Sequence, residues 1–410
     1  MVVRRRKLKC RSGRGFESML LLLLIVFSLV SFSAVLATYL LYFGLIYRDK
    51  RAIERYLAKI EQSGQLLPNS LPKVSVIIST FEEESVIQRR LENIESLDYP
   101  HEKIEVIVID DDSKDRTAEV AQNTLSRLGL NGRVLINSSR IGLNKSLNIA
   151  IHQASNDTIC VTDADVIFDE SALKRAVAVL SGFAEAGGTT GRIVPFFHKK
   201  SIASSSEDSY RKYYHQCMLG ESAVHSAFPG NGPLVLFNKS VVHSSIPVAS
   251  GSSDGNIAMN VVKSGLRFLY VPNALIYEPV PETISQQRLQ KVRRAKRLIQ
   301  VFLSNRDVLL NKKYGQFGSK IFPLKFSMHV LCPILMCTGF VSTIVFILLS
   351  NSVMLYLLVL LVTSAILLAL GFLQPLRRLV FSFVLHQLYL VAGLLSLARK
   401  TVFWKRIERK

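Results

Sequence analysis

Residues 19–47 and 326–376 contain no Asp, Glu, Lys or Arg, and these two tracts bracket the middle of the chain. A bilayer leaves little choice of structure for such tracts, because lipid-exposed backbone must satisfy its own hydrogen bonds. At ~1.5 Å per residue a helix over residues 19–47 exceeds a ~30 Å hydrocarbon core and can cross it with tilt. The tract is too long for a signal-peptide core, and no obvious cleavage site follows it. The second tract is interrupted by Ser350-Asn351-Ser352, which suits two spans joined by a tight polar turn. Residues 379–398 are also long enough to cross, but they carry His386 and Gln387 at their middle. Those two side chains are costly against lipid and should face protein or mark a shallow helix. Four spans are expected.

The formal charge of +20 is concentrated near the apolar segments: at Arg4, Arg5, Arg6 and Lys7, at Lys405, Arg406, Arg409 and Lys410, and between Arg288 and Arg297. That placement fits anionic headgroups and topology control better than nucleic acid, for which there is no recognisable reading motif. The five cysteines (Cys10, Cys160, Cys217, Cys332, Cys337) lack the close spacing of a zinc or redox pair.

From Lys73 the pattern changes. Apolar runs at 74–79, 104–109, 133–137 and 158–162 read as strands, separated by helix-like stretches at 84–97, 115–128 and 143–154. Regular alternation at this spacing predicts βαβ units and a mostly parallel sheet. Residues 187–194 continue the sheet, and 201–222 and 282–305 read as helices. The latter is strongly basic, with Leu289, Val292, Ile299 and Phe302 able to share one side, as on an interfacial helix; an ordinary surface helix is the alternative.

Two acidic clusters close strands. Asp163-Ala164-Asp165 follows the run at 158–162, and Asp110-Asp111-Asp112 follows 104–109. In extended backbone, residues i and i+2 project to one side, so Asp163 and Asp165 can face one ion. Mg2+ or Mn2+ would take such oxygens together with substrate phosphates. An isolated Asp-x-Asp is more often a pair of exposed loop carboxylates; its place after an apolar strand favours a ligand site. For Asp110 and Asp111, contact with a nucleoside competes with turn chemistry, and Asp115 suits a helix cap. Asp254, in a Gly/Ser-rich loop before a helix at 257–263, reads locally either as an N-cap or as a base.

Residues 73 to about 297 resemble glycosyltransferase family 2, with its GT-A nucleotide-sugar fold. Val74-Ser75-Val76-Ile77-Ile78-Ser79-Thr80-Phe81-Glu82-Glu83 is similar to the family's first strand and donor-base loop, and Ile109-Asp110-Asp111-Asp112-Ser113 to its second acidic motif, with Asp112 where Gly is common. Arg140-Ile141-Gly142 and Asn148 precede the metal motif. Gly230-Asn231-Gly232-Pro233 is similar to the acceptor-side turn, and Gln290-Lys291-Val292-Arg293-Arg294 resembles the Gln-x-x-Arg-Trp motif of the membrane-bound branch. The resemblance implies that Thr80, Glu83 and Asp110 or Asp111 hold the nucleoside, with Arg140 nearby. Asp163 and Asp165 would carry the metal and diphosphate. Asp254 would be the base of an inverting transfer, and Gln290, Arg293 and Arg294 would close over the donor.

Arg294 stands where that motif has Trp, and the chain's one tryptophan is Trp404. An arginine lacks the apolar platform for stacking an acceptor sugar, although it can bond hydroxyls or a lipid phosphate. The implied function is therefore inverting transfer from a UDP- or GDP-sugar to a lipid-linked or membrane-presented acceptor. A processive polysaccharide synthase is the runner-up, and a non-catalytic nucleotide-binding membrane protein a third reading. Homo-oligomerisation stays open.

The expected organisation is a basic tail (1–18), a transmembrane helix (19–47), a connector (48–71) and a GT-A domain (72–282). An amphipathic interfacial segment (283–328), three C-terminal spans (329–398) and a basic tail (399–410) follow. Sugar nucleotides are cytosolic, so the domain of this cell-membrane protein should face the cytoplasm. One preceding span then leaves the basic N-terminus outside, against the positive-inside tendency.

Overall fold

The computed structural model describes residues 2–64, 71–197, 202–241, 245–248, 250–279, 283–350, 352, 354–355, 361 and 374–398. They form two compact units. One contains residues 1–44 and 324–391, the other residues 45–323 and 392–410.

In the first unit, helix α1 (Val2–Tyr47) meets the helix Cys332–Ser350 through small residues. Ser342 Oγ donates to the Leu24 carbonyl at 3.0 Å, Ser28 Oγ to the Gly339 carbonyl at 2.7 Å, and Phe32 lies edge-on to Phe340 at 5.0 Å. Close backbone approach with hydroxyls bonded across the seam is how helices associate when both faces are apolar. Three described helices are long and apolar enough to cross a membrane: Phe16–Tyr47, Phe317–Ser350 and Val380–Ala398. The further span expected between residues 352 and 376 lies largely outside the described residues.

The second unit is an α/β domain. Helix α2 (Lys50–Ser63) is anchored by buried Tyr56, whose hydroxyl donates to the Tyr270 carbonyl at 2.7 Å. The elements that follow are β1 (Val74–Thr80), α3 (Glu84–Glu95), β2 (Ile104–Asp110), α4 (Thr117–Leu128), β3 (Gly132–Ile136), α5 (Leu143–Gln153), β4 (Thr158–Asp163), β5 (Ile167–Phe168), α6 (Ala172–Gly182), β6 (Ala186–Phe196), α7 (Ile202–Val224), β7 (Val235–Asn238), α8 (Ser253–Lys263), β8 (Arg267–Pro279) and α9 (Ile284–Ser304). The sheet order is β3-β2-β1-β4-β7-β6-β8-β5. Its β3-β2-β1-β4 half is parallel throughout, whereas β7 runs antiparallel to β4 and β6. Strands covered on both faces need continuous apolar sequence rather than alternation, and Val76, Ile77, Ile78, Val106, Ile107 and Val108 are fully buried.

Two departures from the sequence reading bear on the site. Helix α8 begins at Ser253 rather than Ile257, and Ser252 is its N-cap, accepting from the Gly255 amide at 3.3 Å. Capping is therefore done by the serine, and Asp254 sits inside the first turn. Along α9 the apolar positions do not share one buried face. Ile299 and Phe302 are buried while Leu289 is 66% exposed, because the packed stripe drifts around the helix as it joins Phe228, Phe317 and Phe322 in one aromatic cluster.

Candidate active site

The register of the parallel strands brings the acidic motifs to one edge. Thr80 at the end of β1 pairs with Asp110 of β2, and Ser79 pairs with Asp163 of β4. The carboxyl ends of three adjacent strands thus present Thr80, Asp110 and Asp163 side by side, at the rim where open α/β sheets hold ligands.

Asp110 and Asp111 organise loops there. Asp110 accepts from Thr80 Oγ1 at 3.1 Å and from the Ser113 amide at 2.9 Å. Ser113 Oγ in turn accepts from the Glu82 amide at 2.8 Å, locking the β1 and β2 loops together. Both loops hold a non-glycine residue at positive φ, Glu82 at 55° and Asp112 at 64°. Such conformations persist only where the surroundings over-determine them. Asp111 accepts from Asn137 Nδ2 (3.0 Å), the Ile141 amide (2.8 Å), Ser146 Oγ (3.1 Å) and the Gly142 amide (2.9 Å). This folds the loop that carries Arg140, whose guanidinium stacks on Phe81 at 3.6 Å. Asn148 clamps the next approach, exchanging two bonds of 2.9 Å with the Ile246 backbone. Glu83 sits at the start of α3, where its amide donates to Thr117 Oγ1 at 2.9 Å.

Asp163 ends β4 and Asp165 follows two residues later; both are half-buried. Behind them lies Arg90, fully buried, bonded to Thr162 Oγ1 at 3.0 Å and stacked on Phe168 at 4.0 Å. Burial pulls its guanidinium down to about 10, and Cys160 and Asp163 oppose that shift. Nothing in its neighbourhood Gln88-Arg89-Arg90 distinguishes this arginine in the sequence.

Helix α9 brings basic side chains into the field of Asp163. Gln290 is buried on it. Arg293 is drawn to about 10 by burial and by Arg297 and Arg294, with Asp163 acting against the shift. Arg297 is likewise lowered by burial and held up by both Asp254 and Asp163. Two carboxylates distant in sequence therefore share the field of one guanidinium. Asp254 is raised by burial of its carboxyl, against hydrogen bonds from Ser252 and Gly255 and the charge of Arg294. A Cβ at Gly230 would lie 3.7 Å from that of Asp254 and only 3.0 Å from the Phe268 ring, so glycine lets the turn at 230–233 approach.

Arg294 turns to a buried ionic network. Its Nη2 donates to Glu278 Oε1 at 2.5 Å, and Arg211 bridges Glu278 (2.7 Å) and Glu207 (2.9 Å). Lys291 completes the network on Glu207 at 2.7 Å, lying 3.8 Å above the Tyr210 ring. The i, i+4 pair Glu207–Arg211 is the one part of this network that helical spacing could have announced.

Residues 158–395, more than half of the chain, match glycosyl transferase family group 2, and residues 75–225 match glycosyl transferase family 2. The chain belongs to glycosyl transferase family group 2. Among curated proteins, the probable glycosyltransferase YdaM of Bacillus subtilis (strain 168) is 31% identical over 148 residues, covering 36% of this chain and 34% of that protein. The poly-beta-1,6-N-acetyl-D-glucosamine synthase of Staphylococcus aureus (strain COL) is 26% identical over 265 residues, covering 62% and 60%. The chain thus spans between a third and three fifths of these relatives. Among solved structures, the mannosyltransferase PcManGT from Pyrobaculum calidifontis, in complex with GDP-Man and Mn2+, superposes with a TM-score of 0.69 at 22% identity, over 92% of this chain and 99% of that one. The family group 2 member described here therefore has the GT-A architecture, with candidate membrane helices on both sides of it in the chain.

Proposed function

We propose that this chain is an inverting glycosyltransferase, moving a sugar from a UDP- or GDP-linked donor to a hydroxyl on a lipid-linked or membrane-presented acceptor. The observation that carries the reading is the strand register that sets Asp163 beside Thr80 and Asp110 at one sheet edge, with Asp254 on a helix turn against Gly230. One carboxylate stands at a strand end suited to a diphosphate, the other on a helix turn beside the acceptor-side glycine.

The roles follow from chemistry. Thr80, Glu83, Asp110, Asp111 and Arg140 form or support the nucleoside end, with Phe81 and Arg140 offering a stacked surface. Asp163 and Asp165 are hard oxygen donors, and among the described residues no third His, Cys, Asp or Glu joins them in one ligand group. Two carboxylates suit Mg2+ or Mn2+ whose remaining ligands are waters and donor phosphates. Bound there, the ion supplies charge neutralisation for the departing diphosphate. Arg293, with Gln290, neutralises the same group from α9; a guanidinium fork matches phosphate oxygens. Asp254 accepts the proton of the acceptor hydroxyl as its oxygen bonds the anomeric carbon and the carbon–phosphate-oxygen bond breaks on the opposite face. We place the protein in the cell membrane, with this domain on the cytoplasmic side where sugar nucleotides reside.

A processive synthase is a second reading, favoured by the similarity to the poly-N-acetylglucosamine synthase over 62% of the chain. Against it, Arg294 is committed to Glu278 at the position where a stacking Trp would serve a growing polymer. Purified full-length protein should be incubated with UDP- and GDP-sugars, Mn2+ and membrane lipid extract, following nucleotide release and product mass. One added sugar on a lipid supports single transfer, and a ladder supports the synthase. If Asp254→Asn and the unaltered protein release nucleotide equally with every donor, the transferase reading is wrong.

A further inference from the structure

The residues that join β4 to β5 alternate in burial: Thr162, Ala164, Val166 and Phe168 are buried, while Asp163 and Asp165 are half-buried. Helix α3 holds this loop at both ends. Arg90 Nη2 donates to Thr162 Oγ1 at 3.0 Å, immediately before Asp163. Asn93 exchanges two bonds with the Phe168 backbone, donating to its carbonyl at 2.9 Å and accepting from its amide at 2.8 Å. Arg90 Nη1 donates to Asn93 Oδ1 at 2.6 Å, so the two attachments are joined to each other. Positions 90 and 93 are i, i+3 neighbours on one helix face. A closed ring therefore runs by hydrogen bonds through Thr162, Arg90, Asn93 and Phe168, and returns along the chain through Asp165 and Asp163.

Packing alone does not account for Arg90. It is fully buried with its guanidinium 4.0 Å from the centre of the Phe168 ring, yet its bonded partners are uncharged. Its Nε has no hydrogen-bond partner among the described residues. Arg211, buried elsewhere in the same domain, meets two carboxylates within 2.9 Å. A buried cation without a bonded carboxylate is costlier than a well-packed apolar side chain of similar volume. What arginine supplies and an apolar side chain does not is a rigid planar fork that bonds Thr162 and Asn93 at once.

We propose that Arg90 and Asn93 are positioning residues that fix the separation of the Asp163 and Asp165 carboxylates for a divalent ion. The inference rests on the metal reading above and goes beyond it, since neither side chain is a ligand and both act by denying the loop other conformations. Ions differ in how much they need this. Mg2+ demands near-ideal octahedral geometry with short bonds, whereas Ca2+ accepts irregular oxygen sets. A held loop favours Mg2+, and a loosened one loses Mg2+ before Ca2+.

The test titrates full-length protein in detergent with Mn2+, read by the electron paramagnetic resonance of the free ion, with Mg2+ and Ca2+ measured by displacement. Binding that survives in Asp163→Ala is subtracted. Asn93→Ala removes the Phe168 bonds, and Arg90→Lys keeps the charge without the fork. Each should weaken Mg2+ by about tenfold or more, the scale of a lost residue behind a metal ligand. Ca2+ should weaken by less than about threefold, with UDP and GDP affinity in chelator unchanged. A merely stabilising contact would lower Tm and leave the ratio of Mg2+ to Ca2+ affinity of the folded protein where it was. An unchanged ratio in either folded variant therefore overturns the clamp. If the variants fail to fold, hydrogen exchange of the unaltered protein decides: the Phe168 amide should be equally protected with and without Mn2+, and protection that arises only with Mn2+ overturns the clamp. Unaltered protein that binds no more Mn2+ than Asp163→Ala, with UDP or without it, overturns the metal reading itself and the clamp with it.

Discussion

Arg294 Nη2 and Glu278 Oε1 are joined at 2.5 Å, and the other oxygen of the same glutamate holds Arg211 at 2.7 Å. An arginine at the tryptophan position of the Gln-x-x-Arg-Trp motif is thus tied down as a bridge from α9 to β8 and α7. Burial works to lower its pKa, but Glu278 and Glu207 outweigh that and raise it. The arm bearing Gln290 and Arg293 is thereby fastened to the sheet.

Removing one charge from this network should be costlier than its count of bonds suggests. Glu278→Gln leaves Arg211, Arg294 and Lys291 facing Glu207 alone. Breaking a buried pair from one side costs about 3 kcal/mol, a drop of roughly 5–10 °C in Tm for a domain of this size. Differential scanning fluorimetry of the full chain in detergent reads it; an unchanged Tm would mean that the network does not support the domain.

Acid should undo the same network. Burial pushes Glu207 upward, but Lys291 and Arg211 more than offset this and hold it at about 2. Glu105 is also held at about 2, with burial overcome by bonds from Ser75, Ser155 and Arg133. Groups depressed below their ordinary value of ~4.3 stabilise fully above that pH and lose their contribution as pH falls through the folded value. Tm should therefore decline between pH ~4.3 and ~2, and Glu207→Gln should flatten the decline. A parallel decline in the variant would assign it to other groups.

Asp254→Asn should lower turnover by about 10²–10⁴-fold, the range of a lost general base, with donor affinity within about twofold. Because burial raises this carboxyl above the ordinary ~3.9, its ionised form destabilises the fold at neutral pH. A raised carboxyl stabilises only at low pH and loses that contribution as pH rises through its folded value. The Asn variant should therefore melt higher at pH 7, and the acid limb of kcat in the unaltered protein should lie above that of an ordinary aspartate. Unchanged turnover would remove Asp254 from catalysis.

Asp111→Ala should damage nucleotide binding at a distance. Its carboxylate receives four bonds from residues 137 to 146, and loss of these leaves two loop amides without their acceptor, at about 2 kcal/mol. Calorimetric titration with UDP and GDP should show about tenfold weaker binding, with Asp111→Asn intermediate. Full affinity in the Ala variant would show that the loop carrying Arg140 needs no such anchor.

Chelation should stop turnover, and Mn2+ should restore it in the unaltered protein but not in Asp163→Ala. Full activity after exhaustive chelation would exclude the divalent ion proposed at Asp163 and Asp165.

Much was decided by the chain itself. Uncharged tracts favour helices long enough to cross lipid, and unbroken runs such as Val76-Ile77-Ile78 suit strands covered on both faces, so three candidate membrane helices and the parallel half of the sheet were legible from local composition and period. The acidic motifs were legible as candidates because carboxylates that close apolar strands are chemically conspicuous. Partnership was not. Whether Asp254 caps a helix or stands inside it depended on Ser252 taking the cap, and both outcomes are locally compatible with Gly251-Ser252-Ser253-Asp254. Leu289 and Ile299 look alike by period, yet only Ile299 is buried, because tertiary packing chooses which stretch of an amphipathic helix meets the core. Arg90, Arg297 and the Glu207–Arg211–Glu278–Arg294 network had no local signal at all beyond one i, i+4 pair. The reason is physical: a side chain's type sets what it can bond, but the field of a charge depends on distance in space, which only the folded sheet and its crossing helices determine.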